Sequence, residues 1–172
     1  RFPSHRTSNA SRKPISMTSS ATTRAVAPAA EKLRELIKTN RAVVGVIGLG
    51  YVGLPLAHAI HQGGMPILGF DIDPEKVRML NAGKSYIRHI PAALIKELVS
   101  SGRFRATDDM RELSKPDAII ICVPTPLTKA REPDMQYVEG TARTIAPRLR
   151  RGQLVVLEST TYPGTTAELV KP

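Results

Sequence analysis

Residues 42–53 read AVVGVIGLGYVG, and this stretch decides the fold class of the 172-residue chain. Its first half, residues 42–47, is a continuous apolar run, which is typical of a strand buried on both faces of a parallel sheet. Its second half, residues 48–53, has the pattern G-x-G-x-x-G, and a helical pattern continues to about residue 62. A glycine-rich turn between a buried strand and a helix is the arrangement that binds a dinucleotide.

The three glycines of this turn have separate physical roles. Gly48 allows the tight turn out of the strand, Gly50 lets the backbone approach a pyrophosphate, and Gly53 lets the helix pack close to the strand. The free N–H groups at the start of the helix then face the phosphates. We therefore predict that the turn binds a cofactor through these glycines and through Tyr51 and Val52, which lie between them.

An acidic residue completes the dinucleotide pattern. Asp71 ends the predicted second strand, 18 residues after Gly53. Its carboxylate can accept hydrogen bonds from ribose hydroxyls and would repel a 2′-phosphate, so the sequence favours NAD over NADP. Asp73 is the alternative, but its position before Pro74 suits a helix cap. Lys76 could reach the adenosine end of the cofactor, or it could be a solvated lysine of a first helical turn.

Strand and helix patterns alternate along the rest of the chain, which predicts an α/β fold with a doubly wound parallel sheet of the Rossmann type. The predicted strands are residues 42–47, 66–70, 104–107, 118–123 and 154–157. The predicted helices are residues 51–62, 74–81, 91–101, 110–113 and 135–149, and a further one starting near residue 165. We expect three parts: a disordered tail over 1–28, a short helix within 29–40, and the Rossmann domain over 41–172, incomplete at its C-terminal end.

The net charge of +10 is concentrated at the N-terminus, because residues 1–40 hold eight basic and two acidic residues. This distribution favours a solvated basic tail over a nucleic-acid-binding face. The tail composition also resembles an organellar transit peptide, and Met17 offers an alternative start. No apolar run approaches the ~18 residues that span a bilayer. We expect a cytoplasmic protein without nucleic-acid or membrane partners.

Two hydroxyl-bearing loops follow the predicted fourth and fifth strands. Thr125 lies in the first and Thr160 in the second. Both loops fall at the carboxyl ends of strands, where ligands bind in open α/β sheets. The two threonines could hydrogen-bond the nicotinamide ribose or carboxamide, or they could only satisfy backbone groups of their own turns.

Other reactive residue types give weaker signals. Cys122 lies inside an apolar strand, where a cysteine is usually buried and inert. His58 and His61 are three residues apart on one predicted helix, but the sequence offers no third metal ligand beside them. We expect neither a nucleophile nor a metal site in this chain.

Four stretches in this order are similar to the N-terminal domain of the UDP-glucose/GDP-mannose dehydrogenase family: VIGLGYVGLPL at 46–56, GFDID at 69–73, VPTPL at 123–127 and ESTTYPGTT at 158–166. The resemblance extends over about residues 41–172. Together with the last stretch, PLTKAREPD at 126–134 most resembles the UDP-N-acetylglucosamine 6-dehydrogenase branch.

The resemblance implies an NAD-dependent oxidation of a UDP-sugar at C6, from alcohol to uronate, with two NAD consumed per sugar. It places cofactor contacts at Val52, Asp71, Lys76, Thr125 and Thr160. It also implies that the nucleophilic cysteine, the central dimerisation helix and the UDP-sugar domain lie beyond residue 172. We therefore expect no catalytic residue in this chain, no turnover by the chain alone, and a homodimer or larger assembly of the full-length protein.

Two alternatives remain at this stage. A β-hydroxyacid dehydrogenase of the 6-phosphogluconate type has a similar glycine turn, although such proteins usually carry Asn-Met where this chain has Tyr51 and Val52, and they lack the threonine-rich loop. A non-catalytic NAD-binding module would also explain the missing nucleophile.

Overall fold

A computed structural model describes residues 28–128, 131 and 133–170. Within these residues the strands form one parallel sheet in the order β3-β2-β1-β4-β5. The strands are β1 (Val44–Ile47), β2 (Ile67–Phe70), β3 (Phe104–Thr107), β4 (Ala118–Ile121) and β5 (Leu154–Leu157). Chain order reverses direction between β1 and β4, so the predicted doubly wound sheet is confirmed, and the crevice between these two strands is where such folds bind ligands.

Helices cover both faces of the sheet. They are α1 (Pro28–Lys38), α2 (Gly53–Gln62), α3 (Pro74–Asn81), α4 (Ala92–Ser100) and α5 (Gln136–Ile145). Shorter helical turns occupy Met110–Ser114, Ala146–Arg148 and Thr166–Val170. None of the described helices is long and apolar enough to cross a membrane.

The apolar core is divided by the sheet. On one face Val44 and Val46 pack with the buried sides of α2, α3 and α4. On the other face Ile47 packs with Phe70, Ile121 and neighbouring apolar residues. Because alternate residues of β1 point to opposite faces, burial of the whole strand requires the continuous apolar run seen in its sequence.

The element boundaries differ from the predicted ones at identifiable residues. The first helix of the sheet region begins at Gly53, two residues late, because Tyr51 and Val52 still belong to the turn. The predicted helix over 135–149 is divided, since Pro147 has no N–H for a helical hydrogen bond and the chain tightens into a 3₁₀ turn. By contrast, α3 has the predicted bounds because Asp73 caps it, accepting from Glu75 N at 2.9 Å.

The N-terminal region is described from Pro28 onward, where α1 begins. The N–H groups of Arg41 and Ala42 both donate to Leu36 O, which joins the end of α1 to the strand that follows. The predicted disorder of the tail concerns residues that lie outside the described range, apart from Pro28 itself.

Candidate cofactor site

One cleft of about 680 Å³ lies at the carboxyl end of the sheet, at the switch between β1 and β4. Its walls come from the glycine turn, the end of β2, the helical turn at Met110–Ser114, the loops after β4 and β5, and one face of α5. Eight of the predicted cofactor residues line it: Gly48, Gly50, Tyr51, Val52, Asp71, Lys76, Thr125 and Thr160. The volume lies within the usual range for a small-molecule site, about 300–1,000 Å³.

Gly53, the remaining predicted residue, is required by packing. A Cβ on Gly53 would lie 1.9 Å from the carbonyl oxygen of Gly48, so any side chain there would push α2 off the turn. Gly48 has a φ of +90°, and a Cβ on it would lie 2.6 Å from Cys122 O. Both positions therefore need glycine for the fold itself.

Gly50 has a different setting. Its φ is not in the left-handed region, and apart from its two chain neighbours no described residue has an atom within 4 Å of the position that its Cβ would take. Neither backbone strain nor packing against the described residues explains a glycine here. A ligand that approaches the backbone closely does explain it, which fits the role of the middle glycine beside a pyrophosphate.

Asp71 is buried at the end of β2, with 7% of its surface exposed. Its Oδ2 accepts from Leu49 N at 3.0 Å, and its Oδ1 accepts from Asp73 N at 3.1 Å and lies 3.9 Å from Lys76 Nζ. Each carboxylate oxygen can accept two hydrogen bonds, so acceptor capacity remains for ribose hydroxyls. Sequence analysis predicts a ribose contact for Asp71 but does not predict its bond to the glycine turn.

Tyr86 contacts the glycine turn from behind the cleft lining, and sequence analysis did not find it. It comes from the loop between α3 and α4, and its hydroxyl donates to the carbonyl oxygen of Leu49. Burial, together with the charges of Asp71 and Asp73, raises the pKa of Tyr86 above its usual value, so the phenol stays protonated. No local motif marks this tyrosine, because the contact joins segments 37 residues apart.

The two threonine-bearing loops are joined to each other at their bases. Glu158 N donates to Ile121 O at 2.9 Å, and Ser159 Oγ donates to Val123 O at 2.8 Å. Thr125 and Thr160 line the cleft, and in the described part of the chain neither hydroxyl bonds to its own turn. Thr165 does form such a bond, since its Oγ1 donates to Tyr162 O at 2.7 Å.

Cys122 also borders the cleft, but it is buried, with 8% of its surface exposed. Burial, and secondly the charge of Glu158, raise the pKa of the Cys122 thiol to about 11. A neutral thiol is a poor nucleophile, which supports the expectation that Cys122 is inert. No group of three His, Cys, Asp or Glu side chains suited to a metal ion occurs among the described residues.

Comparison with known proteins assigns the domain. Residues 42–172 match the model of the UDP-glucose/GDP-mannose dehydrogenase family, NAD binding domain. A UDP-N-acetyl-D-mannosamine dehydrogenase of Pyrococcus horikoshii is 38% identical over 129 residues, which are 74% of this chain and 31% of that protein. An NDP-N-acetyl-D-galactosaminuronic acid dehydrogenase of Ralstonia nicotianae is 42% identical over 127 residues, 73% of this chain and 29% of that protein.

Solved structures support the same assignment of the domain. A GDP-mannose dehydrogenase from Pseudomonas aeruginosa superposes with a TM-score of 0.70 at 32% identity, covering 74% of this chain and 30% of that one. An NDP-N-acetyl-D-galactosaminuronic acid dehydrogenase from Methanosarcina mazei gives 0.71 at 34% identity, covering 81% and 32%. A diketoreductase gives 0.55 at 17% identity and shares the fold alone.

The chain therefore spans about 30% of the length of the curated relatives that it matches. The family match decides against a β-hydroxyacid dehydrogenase of the 6-phosphogluconate type. The cleft, its glycine turn and its buried acid form a site that suits a dinucleotide, and the family's cofactor for this domain is NAD. This chain belongs to the UDP-glucose/GDP-mannose dehydrogenase family, of which residues 42–172 are the NAD-binding domain.

Proposed function

We propose that this chain provides the cofactor-binding part of a nucleotide-sugar 6-dehydrogenase, which oxidises the C6 alcohol of a UDP-sugar to a carboxylate with two NAD per sugar. The observation that supports the proposal most strongly is that the glycine turn, the acid after β2 and the loops after β4 and β5 meet in one cleft. Bound NAD supplies the hydride acceptor, while the protein binds and orients it.

We assign each end of the cleft to one part of the cofactor. The glycine turn and the first N–H groups of α2 receive the pyrophosphate. Asp71 accepts from the adenosine ribose, and Lys76, 39% exposed at its side chain, lies beside it at the same end. Thr125 and Thr160 face the nicotinamide half from the other side of the switch point.

The proposed substrate is a UDP-N-acetylhexosamine. The relatives named above include dehydrogenases of UDP-N-acetyl-D-mannosamine and of an N-acetylgalactosaminuronic acid, whereas sequence analysis favoured UDP-N-acetylglucosamine. All three sugars carry an N-acetyl group, which is the feature that the proposal rests on. A full-length enzyme assayed with the acetylated UDP-sugars and with UDP-glucose tests it, and faster oxidation of UDP-glucose would overturn it.

The cofactor proposal is tested by replacing its buried acid. In Asp71→Ala we expect affinity for NAD to fall about tenfold or more, because charge-assisted hydrogen bonds contribute about 1.5–3 kcal/mol. The preference for NAD over NADP should also narrow, since no carboxylate then opposes the 2′-phosphate. Calorimetric titration with both cofactors measures this.

The matched control is Asp108→Ala, which removes an exposed carboxylate that is not part of the cleft. It should leave both affinities unchanged. An unmutated chain that binds NADP more tightly than NAD would contradict the role given to Asp71.

A further inference from the structure

The peptide unit in the middle of the glycine turn is held from both sides. Leu49 N donates to Asp71 Oδ2 at 3.0 Å, and Leu49 O accepts from the hydroxyl of Tyr86. The Leu49 side chain is fully buried and packs against Gly69, where a Cβ would lie 2.8 Å from a Leu49 methyl carbon. Leu49 is therefore fixed through its N–H, its carbonyl and its side chain.

The carbonyl of Leu49 and the N–H of Gly50 belong to one planar peptide. In a trans peptide these two groups point in opposite directions, and no cis peptide occurs among the described residues. A donor that holds the Leu49 carbonyl on the protein side consequently aims the Gly50 N–H to the opposite side. Gly50 itself lines the cleft, and its Cβ position is open.

The loop that carries Tyr86 contacts the turn at a second point. The ring of His89 lies 4.9 Å from the ring of Tyr51, centroid to centroid, at an interplanar angle of 36°. Lys76 Nζ lies 5.8 Å from the centroid of the Tyr86 ring, on the adenosine side. The loop between α3 and α4 thus contacts the turn on both sides of Gly50.

We propose that Tyr86 is a positioning residue of the NAD site, which orients the peptide between Leu49 and Gly50 so that the Gly50 N–H donates to the cofactor pyrophosphate. The inference rests on the cofactor placement proposed above. Gly50 needs such support because glycine has more backbone freedom than any other residue. Without the Tyr86 hydroxyl, this peptide can rotate and the N–H loses its fixed direction.

The test compares ligands with and without a pyrophosphate. Tyr86→Phe removes one hydroxyl and keeps the ring that packs against the core. We expect affinities for NAD and ADP to fall about fivefold, as for one lost hydrogen bond of about 1 kcal/mol. Binding of adenosine, followed by ligand-observed NMR, should not change, because its ribose contacts Asp71 and not the Gly50 N–H.

A destabilised control separates positioning from a general loss of structure. Ile95→Val shortens a fully buried side chain of α4 in the same core cluster. It should lower the melting temperature and leave the affinities for ADP and adenosine unchanged. A Tyr86→Phe protein that binds ADP like the parent, or that loses ADP and adenosine equally, overturns the role of Tyr86. A parent chain that binds neither NAD nor ADP overturns the cofactor placement itself, and the role of Tyr86 with it.

Discussion

The glycine turn and the loop after β5 line the same cleft but are supported very differently. The turn follows β1, all of whose residues are buried, and it is held by Asp71 and Tyr86 from two other segments. The loop follows β5, which pairs with β4 alone among the described strands and leaves Leu154 42% exposed. The difference indicates that the turn proposed to bind the pyrophosphate is preformed, whereas the loop proposed to face the nicotinamide relies on a few hydrogen bonds to the end of β4.

The largest expected effect comes from Gly53→Ala. The new Cβ would lie 1.9 Å from backbone oxygen, which cannot move without shifting β1 or α2. We expect a loss of about 3 kcal/mol of stability and no measurable NAD binding. Thermal melting and calorimetry measure both. A variant that melts and binds like the parent would show that the glycine turn is not the rigid, preformed part of the cleft.

Gly50→Ala is the companion experiment at the same turn. Apart from the two chain neighbours, no described residue has an atom within 4 Å of the new Cβ, so the melting temperature should stay within a degree or two of the parent value. Affinity for ADP should fall about tenfold, because the methyl group occupies the space of the pyrophosphate. Unchanged ADP affinity would remove the argument that a ligand is what requires glycine at position 50.

The smallest expected effect concerns the loop after β5. Ser159→Ala removes the bond from Oγ to Val123 O and should cost about 1 kcal/mol of stability. NAD should bind about threefold more weakly and ADP no differently, because the proposed placement brings only the nicotinamide and its ribose, which ADP lacks, to this loop.

Ser100→Ala is the control for the Ser159 experiment, since it removes an exposed hydroxyl on α4 whose one bond within the described residues is to Glu97 O. An equal loss of affinity for NAD and for ADP in Ser159→Ala would show that the two ends of the cleft are coupled, and the contrast between the two loops would then be wrong.

The secondary structure could be predicted from the sequence where a cap or a turn residue marks the end of an element. Asp73 before Pro74 indicates the start of α3, and β3 and β5 have the predicted bounds. Proline at position 147 could have signalled the end of α5, because it cannot donate within a helix.

Only part of the site could be predicted from the sequence, because a motif consists of residues that are close together in the chain. The pattern G-x-G-x-x-G and the acid after β2 are visible in the sequence, and Gly48, Gly50 and Asp71 line the cleft. The contact from Tyr86 to Leu49 joins segments that only the folded sheet brings together. Hydrophobic periodicity in a single sequence carries no information about such a pairing.

The position of Cys122 makes it a chemical reporter for the cofactor turn. It is the only cysteine of the chain, and its Cβ lies 3.2 Å from where a Cβ on Gly53 would be, beneath the start of α2. A thiol-specific alkylating reagent therefore modifies one known atom, and because only 8% of Cys122 is exposed, the reaction is slow until the end of β4 separates from α2. The alkylation rate measures the free energy of that opening, and its dependence on denaturant distinguishes local opening from global unfolding. The stability of the turn can thus be followed in the unlabelled native chain, with and without ligand.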